Sequence, residues 1–511
     1  MKLVTIIDIG SSSIRMVIAE IYPDGSWNII DRAGKPVSLG MDVFNEGFIS
    51  RKSLIHSLQI LAGFKEIIKM YKIPSESIRA VATSALRAAK NRDTFIDRVA
   101  VRTGIRVKVI EGIEENRLTY LATQYAVQEM KPQLARSNSL IIEVGGGSTE
   151  IMLLQRGKIV AAHSLGIGTV RIIDELETRS RSGQYLEQVL DQRIQTMSEI
   201  LNEEMKLRRI RYFIAVGGDA RVAAAKVGRR QNTLYSIIEK NNFEDFTNRV
   251  TNYSLDDCVN ELQISYDEAD GLASALLMYL FFMNKTQADH LIVPDISIRE
   301  GILLDMTMDI DLETQENFKS QTIASALNLG KKFHFGEKHA KHVTKLALIL
   351  FDLLKEEHNL DSHCRLLLEI SGLLHDIGTY IRTSGHHKHG QYIISNSEVF
   401  GLNRDDMIII ANIVRYHRKA LPLPSHSSYI SLPREERIQV MKLGSILRVA
   451  DALDRGHTQR IMIEDIEKNE GEILLKCSYR GDISIERLGL ETKSNMFEEV
   501  YGYTVGITES A

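Results

Sequence analysis

The hydrophobic pattern over about the first 300 residues predicts short apolar strands that alternate with amphipathic helices. Runs of β-branched residues closed by Gly and Ser indicate strands and turns, and apolar residues at helical spacing indicate helices. The predicted strands cover residues 78–82 and 212–216, and the predicted helices cover residues 52–70, 113–128, 186–205, 220–226 and 267–282. This alternation predicts an α/β sheet in each half of the region.

An internal repeat organises the same region. Residues 6–13 (IIDIGSSS) align without a gap on residues 141–148 (IIEVGGGS). In both copies a β-branched run reaches an acid, Asp8 or Glu143, passes through a Gly/Ser turn and resumes as a second apolar run. This order is typical of a β-hairpin. We therefore expect two related lobes that enclose a cleft, with both hairpin turns facing it.

The pattern changes after residue 308. An acidic stretch at 309–316 is typical of a linker, and helical periodicity then continues to about residue 453. Twelve of the fifteen histidines lie from His334 onward, which indicates a second site. The tail returns to short β-like runs at 473–477 and 501–505. The predicted domains are residues 1–130 (lobe I), 131–308 (lobe II), 318–459 (helical) and 460–511 (a small α+β segment).

Composition narrows the function classes. The chain has 63 Lys and Arg against 67 Asp and Glu, so a polycationic surface built for nucleic acid is excluded. Its three cysteines form no CxxC pair, which favours a reducing compartment. The first apolar run contains an acid, unlike a signal peptide, and the longest apolar stretch, 272–283, is too short to cross a bilayer. We expect a cytoplasmic protein with no membrane and no specific nucleic acid as partner.

The two turns have the chemistry of a phosphate site. Gly and Ser in a turn expose successive backbone N–H groups, to which phosphate oxygens can hydrogen-bond. Asp8 and Glu143 beside them are suited to hold Mg²⁺ directly or through water. Arg87 follows a predicted strand and offers a guanidinium that fits phosphate. One Gly/Ser turn alone is usually only a tight hairpin, and acids such as Glu115 at a helix start are often only caps; the aligned repeat favours the phosphate site.

These residues resemble a known family. The repeats, together with residues 83–87 (TSALR), 112–117 (GIEENR) and 297–301 (SIREG), are similar to the exopolyphosphatase/guanosine pentaphosphate phosphohydrolase family. The resemblance implies two actin/sugar-kinase-like (ribonuclease-H-like) lobes. It implies that Glu115 activates water, that Glu143 and Glu150 organise metal and water, and that Asp8 shares in holding Mg²⁺. The implied phosphate-binding residues are Ser11, Ser12, Ser13, Arg87, Gly145, Gly146, Gly147, Ser148 and Thr149.

The chain departs from the family pattern at four positions. The family usually has aspartate at Glu143, asparagine at Ser12, alanine at Asn116 and glutamate at Ala88. The extra methylene of Glu143 would move its carboxylate by about one C–C bond, and misplacement on that scale can cost about a hundredfold in rate.

The histidine-rich half resembles a second family. His339, His375, Asp376 and Asp451 occur in the order of the HD phosphohydrolase metal site, with His389 and His417 where some members add ligands. The resemblance implies an all-α HD-type domain that holds a divalent transition metal or Mg²⁺. Such a site either catalyses hydrolysis of nucleotide phosphates or binds metal without turnover. Alternatively, residues 386–389 (HHKH) form a phosphate-binding loop.

The leading hypothesis is an enzyme that releases terminal orthophosphate from inorganic polyphosphate or guanosine pentaphosphate by Mg²⁺-assisted attack of water. The first alternative places the main activity at the HD site and makes the cleft a polyphosphate or nucleotide sensor. Another is a non-enzymatic actin-like assembly module, and a sugar kinase is allowed by fold analogy alone. The family resemblance also implies a homodimer.

Overall fold

The computed structural model describes residues 2–170, 183–307, 312–419 and 421–509. It divides into two compact units, Met1–Phe318 and Lys319–Ala511. The first unit contains two sheets flanked by helices, and the second is mainly helical with one small sheet. Within the described residues, no helix has the length and apolar character needed to cross a membrane.

The first sheet has five strands in the order β3-β2-β1-β4-β5. β1, β2 and β3 form an antiparallel meander, and β4 and β5 add in parallel. The strands are β1 (Lys2–Ile9), β2 (Ser13–Ile21), β3 (Trp27–Pro36), β4 (Ile78–Ala82) and β5 (Val107–Val109). The helices around them are α1 (Leu39–Glu46), α2 (Arg51–Met70), α3 (Ser84–Ala88), α4 (Arg92–Thr103), α5 (Gly112–Ala126) and α6 (Lys131–Leu134).

The second sheet repeats this topology. Its order, read from the opposite edge, is β8-β7-β6-β9-β12-β11-β10. β6, β7 and β8 form the antiparallel meander, and β9 and β12 add in parallel. The strands are β6 (Asn138–Val144), β7 (Thr149–Gln155), β8 (Lys158–Leu165), β9 (Ile210–Val216), β10 (Arg229–Arg230), β11 (Tyr235–Glu239) and β12 (His290–Pro294). The eight-residue repeat in the sequence therefore marks a duplicated α/β lobe.

The helices of this second part begin with α7 (Gly183–Glu204). They continue as α8 (Gly218–Val227), α9 (Lys240–Val250), α10 (Leu255–Leu262), α11 (Tyr266–Ala269), α12 (Leu272–Asn284) and α13 (Ile298–Thr307). The single helix predicted at 267–282 is interrupted, because Gly271 adopts a left-handed conformation with φ of 86° between α11 and α12.

Helices cover both faces of the first sheet. Successive side chains of a strand point to opposite faces, so Ile7 and Ile9 pack with the residues of α2 and α4, whereas Val4 and Ile6 enter a second cluster. That second cluster includes Leu118 of α5 and Ile302 of α13. Helix α13, which we assigned to lobe II by the boundary 131–308, thus packs on the sheet of lobe I.

The second unit has one hydrophobic core. Buried helix residues such as Leu368 and Ile410 belong to the same cluster as the strand residues Ile473 and Cys477. Its helices are α14 (Leu312–Lys332), α15 (Glu337–Leu353), α16 (Lys355–His358), α17 (Ser362–Leu374), α18 (His386–Ser395), α19 (Arg404–Tyr416), α20 (Ser427–Ile430), α21 (Arg434–Ala452), α22 (Ser484–Lys493) and α23 (Asn495–Tyr501). Its strands are β13 (Ile461–Asn469), β14 (Glu472–Tyr479) and β15 (Thr504–Glu509).

Two expectations for this unit need correction. The predicted strand at 501–505 begins only at Thr504, because Gly502 (φ 77°) ends helix α23 in a left-handed conformation. The helical part and the C-terminal segment, predicted as separate domains, share their core, because the small sheet packs on α15 as well as on α22 and α23.

Helices α5 and α13 approach so closely that only glycine fits at Gly301. A Cβ atom there would lie 2.2 Å from the carbonyl oxygen of Leu118. We expect Gly301→Ala to lower the free energy of unfolding by about 1–3 kcal/mol. The matched control is Gly63→Ala in the interior of α2, where no heavy atom lies within 4 Å of the added Cβ. That change should stabilise the helix by up to about 1 kcal/mol. Thermal unfolding of both variants checks this, and equal midpoints would contradict the close approach.

Candidate functional site

The two repeated turns have the same local geometry. The Gly10 N–H donates to the Ser13 carbonyl at 3.0 Å, and the Gly145 N–H donates to the Ser148 carbonyl at 2.9 Å. Each turn closes a hairpin whose first strand carries the acid at the same place, two residues before the glycine.

The turns face each other at close range. A Cβ atom at Gly146 would lie 3.0 Å from Ser12 Oγ, and one at Gly147 would lie 2.3 Å from Phe44 and 2.6 Å from Ser84 Oγ. A side chain at Gly147 would therefore require Phe44 and Ser84 to move, and one at Gly146 would be in tight contact with Ser12. Ser11 and Ser148 are buried where the turns meet.

The charges beside the turns differ between the copies. In the first hairpin Asp8 stands opposite Arg15, whereas in the second Glu143 stands opposite Glu150. Two carboxylates directly opposite each other repel unless a cation or hydrogen-bond donors compensate them. Burial and the neighbouring Glu115 raise the pKa of Glu150, and burial and Asp8 raise the pKa of Glu143, so ionisation of both acids of the second hairpin is costly.

Glu115 lies on the first turn of α5, next to Arg87. One Arg87 Nη1 donates to Glu115 Oε2 at 3.2 Å and to the Ile110 carbonyl at 2.8 Å. Their side chains keep 19% and 14% of their exposure, so both can meet a solute. Burial, opposed by Arg87 and reinforced by Glu143, raises the pKa of Glu115 to about 7.

The acids of the cleft fit Mg²⁺. Burial raises the pKa of Asp8 and that of Glu143, and their mutual repulsion adds to this in Glu143. No three cleft acids within the described residues bring carboxylate oxygens within 4.8 Å of one another. Mg²⁺ is usually held by one or two carboxylates together with water and substrate phosphate, and its binding in this cleft stays a prediction. Asp8, Glu143 and Glu150 are the residues that would hold the ion or its water.

Two predicted phosphate contacts have other partners. The Thr149 hydroxyl is buried and donates to the Ile167 carbonyl at 2.6 Å, so its proton is not free for a phosphate oxygen. Ser11 Oγ shares a hydrogen bond of 3.0 Å with Ser84 Oγ. The backbone N–H groups of the turns remain the main candidates for phosphate binding.

The second unit brings together five of the six predicted metal ligands. His339 Nε2 lies 3.8 Å from Asp376 Oδ2 and 3.6 Å from Asp451 Oδ1, and His375 Nε2 lies 3.6 Å and 3.8 Å from the same two oxygens. His417 Nε2 lies 3.8 Å from Asp376 Oδ1.

The sixth predicted ligand is His389, and the structure places His386 in the cluster instead. His386 Nε2 lies 3.2 Å from Asp376 Oδ1, whereas His389 is partly exposed and outside both sets of converging ligand atoms. Residues 386–389 form the first turn of helix α18, so they are not the loop that we considered.

Comparison with known proteins identifies the family. A model of the Ppx/GppA phosphatase family matches residues 17–309, and a model of Ppx/GppA phosphatase domain III matches residues 322–484. The chain belongs to the Ppx/GppA phosphatase family. Because domain III of that family accounts for the helical unit, an HD-type domain there stays a prediction.

Relatives span most of the chain. It is 23% identical over 445 residues to the guanosine-5'-triphosphate,3'-diphosphate pyrophosphatase of Photobacterium profundum, covering 87% of this chain and 84% of that protein. It is 25% identical over 467 residues to the protein of that name from Pseudoalteromonas atlantica, covering 88% and 86%. The crystal structure of an exopolyphosphatase from Cytophaga hutchinsonii matches with a TM-score of 0.54 at 21% identity, over 60% of this chain and 98% of that one. That likeness supports the α/β fold of the lobes.

Two of the residues that depart from the Ppx/GppA pattern, Glu143 and Asn116, form side-chain hydrogen bonds in this fold. Thr119, one turn after Glu115 on α5, donates its hydroxyl to Glu143 Oε2 at 2.6 Å and so fixes the longer side chain. Asn116 Nδ2 donates to Glu150 Oε2 at 3.0 Å and to the His163 carbonyl at 3.3 Å, and Ser164 Oγ donates to Glu150 Oε1 at 2.8 Å. We did not predict Thr119, Asn116 or Ser164 as site residues. Asn116 was the only one of the three with a signal in the sequence, because it is a polar residue where the family usually has alanine.

Asn116 compensates the buried Glu150 carboxylate. We expect Asn116→Asp to place a second buried carboxylate beside Glu150 and to destabilise the fold by about 3 kcal/mol at pH 8. The new carboxyl would be neutral at low pH, because repulsion and burial raise its folded pKa, so the loss should shrink as the pH falls towards 5. Thermal unfolding at both pH values measures this. Asn116→Ala removes the donor without adding charge, and a loss with the same pH dependence in both variants would contradict the assignment.

Proposed function

We propose that this protein is a phosphohydrolase that releases terminal orthophosphate from inorganic polyphosphate, guanosine pentaphosphate or both. The observation that carries the proposal is the Glu115–Arg87 pair beside the two facing glycine turns. A carboxylate with a pKa near 7 is poised to accept a proton at neutral pH. A guanidinium beside it suits the charge on a phosphoryl group.

In the proposed reaction, water attacks the terminal phosphorus atom and the bond to the bridging oxygen breaks. Glu115 takes a proton from that water, and Arg87 binds the oxygens of the transferred phosphoryl group. The N–H groups of residues 11–13 and 146–148 orient the phosphate chain. Mg²⁺, when bound, neutralises charge on the phosphate oxygens. Glu150, held on both oxygens by Asn116 and Ser164, orients water or the hydrated ion.

The relatives support the substrate class. Two are named as guanosine-5'-triphosphate,3'-diphosphate pyrophosphatases and one as an exopolyphosphatase. Both names refer to hydrolysis of a phosphoanhydride, which is the chemistry proposed for this cleft. Comparison of orthophosphate release from the two substrates under the same conditions decides between them. A cytoplasmic location and a homodimer stay predictions.

A second candidate function is a metal-dependent nucleotide phosphohydrolase in the second unit, with the cleft as a sensor. The observation in its favour is the convergence of His339, His375, Asp376 and Asp451. Under this hypothesis Asp376→Ala removes orthophosphate release from guanosine pentaphosphate. Full activity of that variant would assign the reaction to the cleft.

Glu115→Gln tests the proposed base. The amide cannot accept the proton but keeps the shape of the side chain, so we expect orthophosphate release to fall by about 10²–10⁴-fold. Binding of polyphosphate, measured by equilibrium dialysis, should persist because the turns are intact. The substitution Glu111→Gln, at an exposed residue that directly precedes the same helix and makes no capping hydrogen bond, removes an equal charge and serves as the control. Unchanged release in Glu115→Gln would exclude Glu115 from the mechanism.

The pH dependence follows from the same pair. Since Glu115 must be deprotonated to act, kcat/KM should rise with pH up to about 7 and level off above it. The Arg87 charge lowers the pKa of Glu115, so in Arg87→Met the rise of kcat/KM should occur at higher pH, and in Arg87→Lys it should shift less. If kcat/KM rises over the same pH range in the wild-type protein and in both variants, a group other than Glu115 titrates.

A further inference from the structure

A short buried segment that follows β8 packs against the second turn. It consists of residues 167–170, which we call the second backing segment. The Thr169 N–H donates to the Gly145 carbonyl at 3.0 Å, and the Val170 N–H donates to the Gly146 carbonyl at 2.9 Å. Two consecutive carbonyl groups of the turn therefore face this segment.

These two contacts fix the direction of two N–H groups. A trans peptide unit is planar, and its C=O and N–H bonds point in opposite directions. The Gly145 carbonyl shares a peptide unit with the Gly146 N–H, and the Gly146 carbonyl shares one with the Gly147 N–H. Both N–H groups therefore point away from the second backing segment. Successive N–H groups that point the same way can bind one anion.

The first turn is held in the same way by residues 37–40, the first backing segment. This segment follows β3 and includes the start of α1. The Gly40 N–H, which has no acceptor within its own helix turn, donates to the Ser11 carbonyl at 2.8 Å, and the Val37 N–H donates to the Ser12 carbonyl at 2.9 Å. In both lobes, the segment after the third strand of the meander thus holds two consecutive carbonyl groups of the turn.

The second backing segment approaches the turn so closely that a side chain does not fit at Gly168. A Cβ atom there would lie 2.4 Å from the Gly146 carbonyl oxygen and 2.5 Å from the Gly147 nitrogen. Both atoms belong to the backbone, so neither can rotate aside as the end of a long side chain can. Any larger residue at this position would separate the segment from the turn.

The Thr149 hydroxyl adds a third contact. It donates to the Ile167 carbonyl at 2.6 Å and so joins the start of the second backing segment to the start of β7, directly after the turn. Thr149 is fully buried. The hydroxyl that we predicted to bind phosphate therefore holds the segment that orients the turn.

We propose that Gly168 and Thr149 are positioning residues for the phosphate site, and that Gly40 has the same role in the first lobe. They act through the backing segments, which direct the N–H groups of Ser12 and Ser13 and of Gly146 and Gly147. The inference rests on the proposed function, because it takes the two turns as the phosphate site. It adds that these donors are oriented before the substrate arrives, so that the reaction does not have to reorganise them.

Gly168→Ala tests the second backing segment. The added Cβ forces the segment away from the turn, so the hydrogen bonds to the Gly145 and Gly146 carbonyls lengthen and the N–H donors lose their direction. The probe is methylenediphosphonate with Mg²⁺, a phosphate-chain analogue whose P–C–P link cannot be hydrolysed. We expect its affinity, measured by isothermal titration calorimetry on the full chain, to fall by about 10–100-fold, because hydrogen bonds to charged groups are strong.

Gly228→Ala is the matched control. A Cβ atom there would lie 2.5 Å from the Ala224 carbonyl oxygen, so the backbone clash is as severe. It falls at the C-terminal end of α8, about 14 Å along the helix from Gly218. Both variants should lose thermal stability, but only Gly168→Ala should lose affinity. Wild-type affinity in Gly168→Ala, or an equal loss in the two variants, would overturn the proposal.

Thr149→Val keeps the test independent of a variant that folds poorly. Valine has nearly the same shape but no hydroxyl, so we expect the affinity to fall by about 3–10-fold, and Thr149→Ser should keep it. In the protein without ligand, amide hydrogen exchange over residues 167–170 should be faster in Thr149→Val, because one contact of the segment is lost. Weaker binding with unchanged exchange would indicate a direct contact with phosphate and contradict the positioning role.

The wild-type chain separates this inference from the proposed reaction. If it binds the analogue but releases no orthophosphate, and Gly168→Ala loses the binding, the backing segments are supported and only the reaction fails. If orthophosphate release has the same kcat/KM in the wild type and in Gly168→Ala, only the positioning role fails. A wild-type chain that neither binds the analogue nor releases orthophosphate would refute both.

Discussion

The arrangement of the cleft residues in the first unit depends on the close contact between the turns at residues 10–13 and 145–148. The glycines of the turn at 145–148 let it lie against Ser12, Phe44 and Ser84, and this contact brings acids from both sheets into one buried region. Burial makes ionised carboxylates costly, so each needs a donor or a cation. Thr119 donates a hydrogen bond to Glu143, and Asn116 and Ser164 donate to Glu150. Arg87 donates a hydrogen bond to Glu115. The raised pKa of Glu115 is a consequence of this crowding.

The duplicated topology explains why these groups meet. Each sheet places an antiparallel hairpin beside a parallel strand, so an acid and a turn appear at the same edge in both copies. The copies differ at the residue that stands opposite the acid. Arg15 opposite Asp8 reduces the charge in the first hairpin, whereas Glu150 opposite Glu143 increases it in the second. Helix α5 lies across this junction and supplies Glu115, Asn116 and Thr119 from successive positions.

The second unit also brings titratable side chains together in a buried region, but these are histidines and aspartates rather than glutamates. Carbonyl oxygens fix the tautomers of His375, His386 and His417, and the Nε2 atoms then face one another around Asp376. The small sheet and α22 belong to the same core as the helices, which explains how Lys493, far along the chain, reaches Asp451.

Much of the first unit's fold could be predicted from local sequence patterns alone. The repeat, the hairpins and the positions of Asp8 and Glu143 follow from turn chemistry and side-chain alternation, which act over a few residues. The interrupted helix at Gly271 and the partners of Glu143 and Glu150 did not follow from it. They depend on a left-handed glycine and on where α5 lies across distant strands. His386 and His389 illustrate this limit: residues three apart lie on the same face of a helix, and only the placement of α18 against α19 decides which imidazole enters the cluster.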